Sequence, residues 1–169
     1  MGSVSIREVD RAKHLALCAE IIRDSFATLA EDLGITRENC PSHPSFATVE
    51  DLERMRREGF AFFVLRVADR QVGAVAIEDR GSGLFYFAKL AVLPPFRHKG
   101  FGRTLVDFVF DYARARGGKT VRLATVDENA MLKNWYLDYG FAIVDVRQFD
   151  YLPFAVCFME KAVCAAEEG

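Results

Sequence analysis

The sequence predicts an α/β (α+β) fold: a mixed, mostly antiparallel central sheet flanked by helices on both faces. Three observations predict it. The elements read β-α-α-β-β-β-α-β-α-β-β along 169 residues. Three consecutive strands near the middle are joined by short turns, so they form an antiparallel meander. The second half then alternates strand, helix and strand, and such crossovers lay helices against the sheet.

Each element has its own signal. Ser3–Val9 alternates around Val4 and Ile6 and reads as a first strand. From Asp10, the residues Leu15, Cys18, Ile21 or Ile22, Phe26, Leu29 and Leu33 recur every three or four positions, and Gly34 suits the end of that helix. Residues 35–47 are irregular. Thr48-Val49-Glu50-Asp51 resembles a capping box before a short helix that stops near Gly59. Phe60–Ala68 and Gln71–Glu78 follow as strands around Asp69-Arg70, a turn of hairpin length. Leu84–Leu93 is nearly all apolar, which predicts a central strand. Pro94-Pro95 ends it, and Gly100 to Gly102 lead into a helix over Arg103–Arg116 with Leu105, Phe108, Val109 and Tyr112 on one stripe. Thr120–Val126 is a further strand. Asn129 caps a helix to Tyr139 with Gly140 at its end. Phe141–Gln148 and Phe154–Ala162 form the last strand pair.

Composition bounds the rest. The length fits one domain over residues 1–169, with no internal repeat and no Pro- or Gly-rich linker. Apolar residues make up 51% and the formal net charge is -2, which argues against disorder and against a generic nucleic-acid binder. No apolar run approaches the roughly 18 residues of a membrane span, and the first residues lack a signal-peptide core. Cys18, Cys40, Cys157 and Cys164 show no Cys-x-x-Cys spacing and read as free thiols in a reducing cytoplasm. Cys40-Pro41-Ser42-His43 lacks the second ligand pair of a structural zinc, so no metal is expected.

The chemistry concentrates in Lys89-Leu90-Ala91-Val92 and the stretch through Arg97-His98-Lys99-Gly100-Phe101-Gly102-Arg103-Thr104. It is a buried strand, a glycine-rich turn and a helix start. A helix start offers unpaired N–H groups and a positive dipole end to phosphate oxygens. Arg97, Lys99 and Arg103 add positive charge there. Leu105 stands where a third dinucleotide-loop glycine would be, and no Gly-Lys-Ser/Thr follows, so neither a Rossmann nor a Walker A loop is present. A bare Arg-x-x-Gly-x-Gly arises by chance in roughly one chain of this length in twenty or thirty, so its placement between strand and helix carries the weight.

With that placement, the sequence resembles the GNAT N-acetyltransferase family. Arg97-x-x-Gly100-x-Gly102 matches the family's acetyl-coenzyme A signature, and Leu90-Ala91-Val92 its preceding strand. Asn129 and Tyr136-Leu137-Asp138-Tyr139-Gly140-Phe141 match a second pattern downstream. The resemblance is clearest over residues 84–141.

It implies acetyl-CoA as cofactor, with backbone N–H groups from His98 to Thr104 cradling the pyrophosphate. It implies that the main chain of Leu90, Ala91 and Val92 pairs with pantetheine. Asn129 would contact the pantetheine or nucleotide arm, and Lys133 one turn later could reach a phosphate. Tyr136 would sit at the sulfur as general acid, and the Val92 N–H would stabilise the oxyanion. An amine acceptor also needs a base. Residues 84–92 hold no carboxylate, and Lys89 is their only charge. Glu78 on the preceding strand and a water relay are both candidates.

The acceptor, a small-molecule or peptide amine, is not legible. The long loop 34–47 could close over its pocket, with Asn39, His43 and Phe46 as the residues to watch and Leu152-Pro153-Phe154 opposite. A plain connection between helices is the alternative. No nucleic-acid or membrane partner is expected. Exposed edge strands near the C-terminus make a homodimer reasonable. Another acyl-CoA donor, or a non-catalytic CoA-binding sensor or interaction module on the same fold, remain alternatives.

Overall fold

A computed structural model describes residues 2–164. Seven strands form one sheet, β1 (Val4–Glu8), β2 (Phe60–Val67), β3 (Arg70–Asp79), β4 (Leu84–Val92), β5 (Thr120–Val126), β6 (Ala142–Gln148) and β7 (Ala155–Ala162). Their order across the sheet is β1-β2-β3-β4-β5-β7-β6. Only β4 and β5 run parallel; the other neighbours are antiparallel. The apolar β4 is thus the central strand, as its composition predicts.

Four helices cover the sheet: α1 (Ala12–Leu33), α2 (Val49–Arg57), α3 (Phe101–Ala115) and α4 (Ala130–Tyr139). The period-two alternation of the strands decides which face each residue joins. On β2, Phe62 and Val64 join Leu15, Cys18, Ile22 and Leu52 of α1 and α2, while Phe63 and Leu65 join Leu105, Val109 and Phe110 of α3. On β3, small Ala74 and Ala76 admit α1, whereas Val75 and Ile77 face α3. A third cluster ties Ala30, Ile35 and Cys40 to Phe46, Leu152 and Phe154, so the loop after α1 packs on the β6–β7 loop.

Element ends differ slightly from expectation. α1 begins at Ala12 behind Arg11, which offers no side-chain cap, rather than at Asp10. α3 begins at Phe101, two residues before Arg103, because Gly100 in a left-handed conformation (φ 87°) turns the chain into the helix. The capping box of α2 is present, with Thr48 Oγ1 accepting from the Asp51 N–H and Asp51 Oδ2 accepting from the Thr48 N–H. Two short 3-10 turns, Pro44–Phe46 and Pro94–Phe96, lie in stretches expected to be irregular.

Candidate active site

β4 and β5 pair only through Leu84–Tyr86 and Thr120–Arg122. β4 then continues to Val92, while β5 stays with β7 as far as Val126. The two parallel strands splay beyond Tyr86, and the β5-facing edge of residues 87–92 has no strand partner among the described residues. Such an edge can take an extended ligand as an added strand. Leu93 N–H donates to Val72 O at 2.9 Å, so the neighbouring Val92/Gly73 pair exchanges no hydrogen bonds. The Val92 N–H and C=O therefore point into the splay.

A bulge sits in the same strand. Ala88 pairs with Ala76 and Ala91 with Ala74, so Lys89 and Leu90 together face Val75. Lys89 adopts φ 57°, which costs a non-glycine residue about 1–2 kcal/mol. The extra residue changes which side chain faces which way. Phe87 and Leu90 pack on the α3 side and Ala91 on the α1 side. Lys89 is thereby turned from the α3 core toward His43, Cys40, Asp51 and Arg54, which are its electrostatic neighbours. Burial lowers the Lys89 pKa, with Arg54 acting in the same direction against Asp51 and Cys40.

The loop after β4 is a cradle of free donors. Thr104 N–H makes the first hydrogen bond of α3, to Gly100 O at 3.0 Å. The N–H groups of His98, Lys99, Gly100, Phe101, Gly102 and Arg103 have no acceptor among the described residues. Thr104 was expected in this set and does not belong to it; its hydroxyl also donates to Gly100 O at 3.0 Å. A Cβ built on Gly102 would meet the Trp135 ring only at 3.7–3.8 Å, an ordinary contact. Neither φ nor packing requires glycine there, so its missing side chain leaves room for an outside group. The cradle and the splayed edge together fit a pyrophosphate joined to an extended arm.

Two residues expected at the phosphates have partners within the chain. Arg97 turns inward: Nε donates to Val92 O at 3.1 Å, Nη1 to Thr28 Oγ1 at 2.9 Å, and Nη2 to Ser25 O. It braces the end of β4 against α1. Lys133 Nζ is held by Asp127, at 2.7 Å from Oδ1 and 3.1 Å from the carbonyl. The exposed charges at the cradle are Lys99 and Arg103, lying over the rings of Phe96 and Tyr139 at 5.7 and 5.2 Å.

α4 brings Tyr136 under the splay. Its ring lies 5.1 Å from Trp135, 5.7 Å from Phe141 and 6.2 Å from Phe87. Its hydroxyl makes no hydrogen bond among the described residues. The fully buried unpartnered side-chain oxygen in the described chain is that of Ser25, so the Tyr136 hydroxyl is not sealed off. Burial, with Tyr86 adding to it, raises the Tyr136 pKa above the ordinary 10. The phenol stays protonated, and it is a weaker acid than an ordinary tyrosine. Asn129 Oδ1 caps α4 by accepting the Leu132 N–H at 3.2 Å. Glu78 pairs with Arg80 at 2.5 Å, and Arg80 lies 3.9 Å over Tyr86. Glu78 stands opposite Tyr86, at the level where the splay begins, but Arg80 competes for its carboxylate.

On the α1 side, the rings of His43 and Phe46 stand edge-on at 6.5 Å, and Phe46 shares a cluster with Leu152 and Phe154. His43 is 4% exposed, and burial with Lys89 nearby lowers its pKa to about 4. Asn39 is exposed and wholly engaged within its loop, accepting from the Thr36 N–H at 2.8 Å and donating to Gly34 O at 2.9 Å. It shapes the loop. A cavity of about 340 Å³ beside Asp107, Arg114 and Lys161 lies at the paired ends of the strands, away from this site.

The sequence model of the acetyltransferase (GNAT) family matches residues 23–141. The chain belongs to the GNAT acetyltransferase family. The splay, bulge and cradle all lie inside the matched segment. Among solved GNAT structures, the ribosomal-protein-S18-alanine N-acetyltransferase from Escherichia coli superposes with a TM-score of 0.76 at 16% identity, covering 99% of this chain and 98% of that one. Ard1 from Thermoplasma volcanium gives 0.68 at 24% identity over 95% and 98%. Spermidine N-acetyltransferase from Vibrio cholerae, solved with CoA and spermine, gives 0.70 at 18% identity over 95% of both chains. At these identities the likeness is one of fold. No curated protein matches the chain by sequence.

The residue that sequence reasoning left without a role is Lys89. Its signal was present as the lone charge of a nine-residue apolar strand. The φ reversal that aims it has no sequence mark, since neither Gly nor Asn stands there.

Proposed function

We propose that this GNAT protein is an acetyl-CoA-dependent N-acetyltransferase that moves an acetyl group to a primary amine by direct attack in a ternary complex. The observation that carries this reading is the run of free N–H groups from His98 to Arg103 at the open end of the β4–β5 splay. Those donors hold the pyrophosphate oxygens, and the Leu90–Val92 main chain aligns the pantetheine. Acetyl-CoA bound there supplies an activated thioester. Val92 N–H stabilises negative charge on the carbonyl oxygen. Arg97, bonded to the Val92 carbonyl, holds the Val92–Leu93 peptide, the unit that follows the one carrying this N–H. Tyr136 donates to the sulfur as charge builds there. Glu78, released from Arg80, or a water relay removes the amine proton.

The alternatives keep the same cradle. The absence of a carboxylate over residues 84–92 favours a CoA-binding sensor or interaction module as the second reading. Competition among acyl-CoA compounds separates acetyl from other acyl donors. An amine panel with acetyl-CoA and a thiol readout tests catalysis; coenzyme binding with no thiol released from any amine supports the sensor.

A homodimer through the outer strand β6 is also proposed. Its outer edge has no partner among the described residues, and Ile143, Val144 and Val146 are 43%, 50% and 47% exposed.

A further inference from the structure

Lys89 and His43 form a pair of hydrogen-bond donors that the proposed reaction does not use. Lys89 makes no hydrogen bond or ion pair among the described residues. Its neighbour Asp51 is already occupied, with Oδ2 accepting from Thr48 N–H at 3.0 Å and Oδ1 from Arg54 at 3.2 Å. His43 shows which nitrogen carries its proton. Nδ1 accepts the Ser45 N–H at 3.2 Å and lies 2.7 Å from Ser45 Oγ. The hydrogen of the neutral ring is therefore on Nε2. That N–H finds no acceptor among the described residues. The ring is fixed edge-on between Phe26 and Phe46, at 6.0 and 6.5 Å.

The bulge places a cation near this N–H, and the carboxylate that faces it among the described residues, Asp51, is already bonded to Thr48 and Arg54. An ammonium and a neutral N–H together offer one positive charge and at least two donors. That complement fits a carboxylate, which has one charge and two oxygens, better than a phosphate dianion. We infer that the acceptor is an amine that carries a carboxylate, and that Lys89 and the His43 Nε2–H bind that carboxylate on the α1 side of β4. This inference rests on the N-acetyltransferase reading and names the substrate class of the same site. Lys89 then acts in specificity, as an anchor that sets the distance between the acceptor's carboxylate and its attacking amine.

The test offers acetyl-CoA with glycine, longer ω-amino acids up to 6-aminohexanoate, and dipeptides, each beside its amide or the amine lacking the carboxylate. Release of free thiol is the readout. At least one carboxylate-bearing amine should exceed its neutral counterpart at least 10-fold in kcat/KM. Lys89→Met should erase that ratio mainly through KM, while the neutral amine's kcat/KM and acetyl-CoA affinity by calorimetry stay the same. His43→Gln should narrow the ratio in part. Equal or better use of neutral amines overturns the inference, as does a ratio that survives Lys89→Met, or rejection of every amino acid by protein that binds acetyl-CoA. Failure to bind acetyl-CoA sinks the N-acetyltransferase reading itself, and calorimetry tells the two failures apart.

Discussion

At the residue scale, the proposed ligand contacts and the contacts that hold the chain fall on different side chains. Tyr136→Phe should lower kcat about 100-fold and leave the acetyl-CoA KM within a few-fold, because only the hydroxyl proposed to donate to the sulfur is lost. An unchanged kcat removes Tyr136 from the proposed chemistry. Arg97 looks like a phosphate ligand from its motif, yet its guanidinium bonds Val92, Thr28 and Ser25. Arg97→Ala should therefore cost about 2–3 kcal/mol and lower Tm by about 5–10 °C. A Tm unchanged with weaker coenzyme binding would return Arg97 to the cradle. His43 makes a pH prediction. Its ring protonates from about 6.5 downward when unfolded, but only near pH 4 when folded. The unfolded chain binds the extra proton between those values, so this contribution to stability is full above about pH 6.5 and falls as pH drops toward 4. Urea titrations across that range should show the slope, reduced in His43→Gln.

At the element scale, the turn between β4 and α3 uses its glycines for different ends. Gly100 has φ 87° and needs glycine for the backbone, whereas Gly102 has neither a left-handed φ nor a tight contact. Gly100→Ala should lower stability by about 1–2 kcal/mol through left-handed strain. Gly102→Glu should leave Tm nearly unchanged and abolish coenzyme binding, by filling and negatively charging the cradle. Loss of fold in Gly102→Glu would contradict this division. The elements themselves were legible because periodicity and caps are local: Thr48-x-x-Asp51, Asn129 and Gly34 mark helix ends in the sequence and do so in the fold. The bulge was not legible. It is imposed by register between β3 and β4, and Lys89 carries no residue-type preference for its positive φ. The inward turn of Arg97 was not legible for a related reason, since Thr28 and Ser25 on α1 lie 69 and 72 residues away, whereas Lys133 meets Asp127 only 6 residues upstream.

At the scale of the whole molecule, the sheet is two halves joined by a short seam. β1–β4 and β5–β7 meet through the ladder from Leu84–Tyr86 to Thr120–Arg122, with α3 packed against both. A ligand lying along the open edge bonds to one half and fills the gap beside the other. At about 100 times its Kd it should raise stability by about 2.7 kcal/mol, and amide exchange should slow most over residues 87–92 and 98–103. Sedimentation should show a dimer that Val144→Lys with Val146→Lys dissociates, while a monomer in the parent chain removes β6 as an interface. The mixed sheet with helices on both faces followed from element order, whereas the short seam is set by strand pairing and the proposed acceptor side depends on the loop 34–47 folding onto Leu152 and Phe154, a contact between distant segments. The central claim is that the open edge and the donor cradle form one coenzyme site. Isothermal titration of the chain with acetyl-CoA tests it directly: saturable one-to-one binding that Gly102→Glu abolishes is the expected result, and no heat at millimolar acetyl-CoA, or equal binding by the variant, would contradict it.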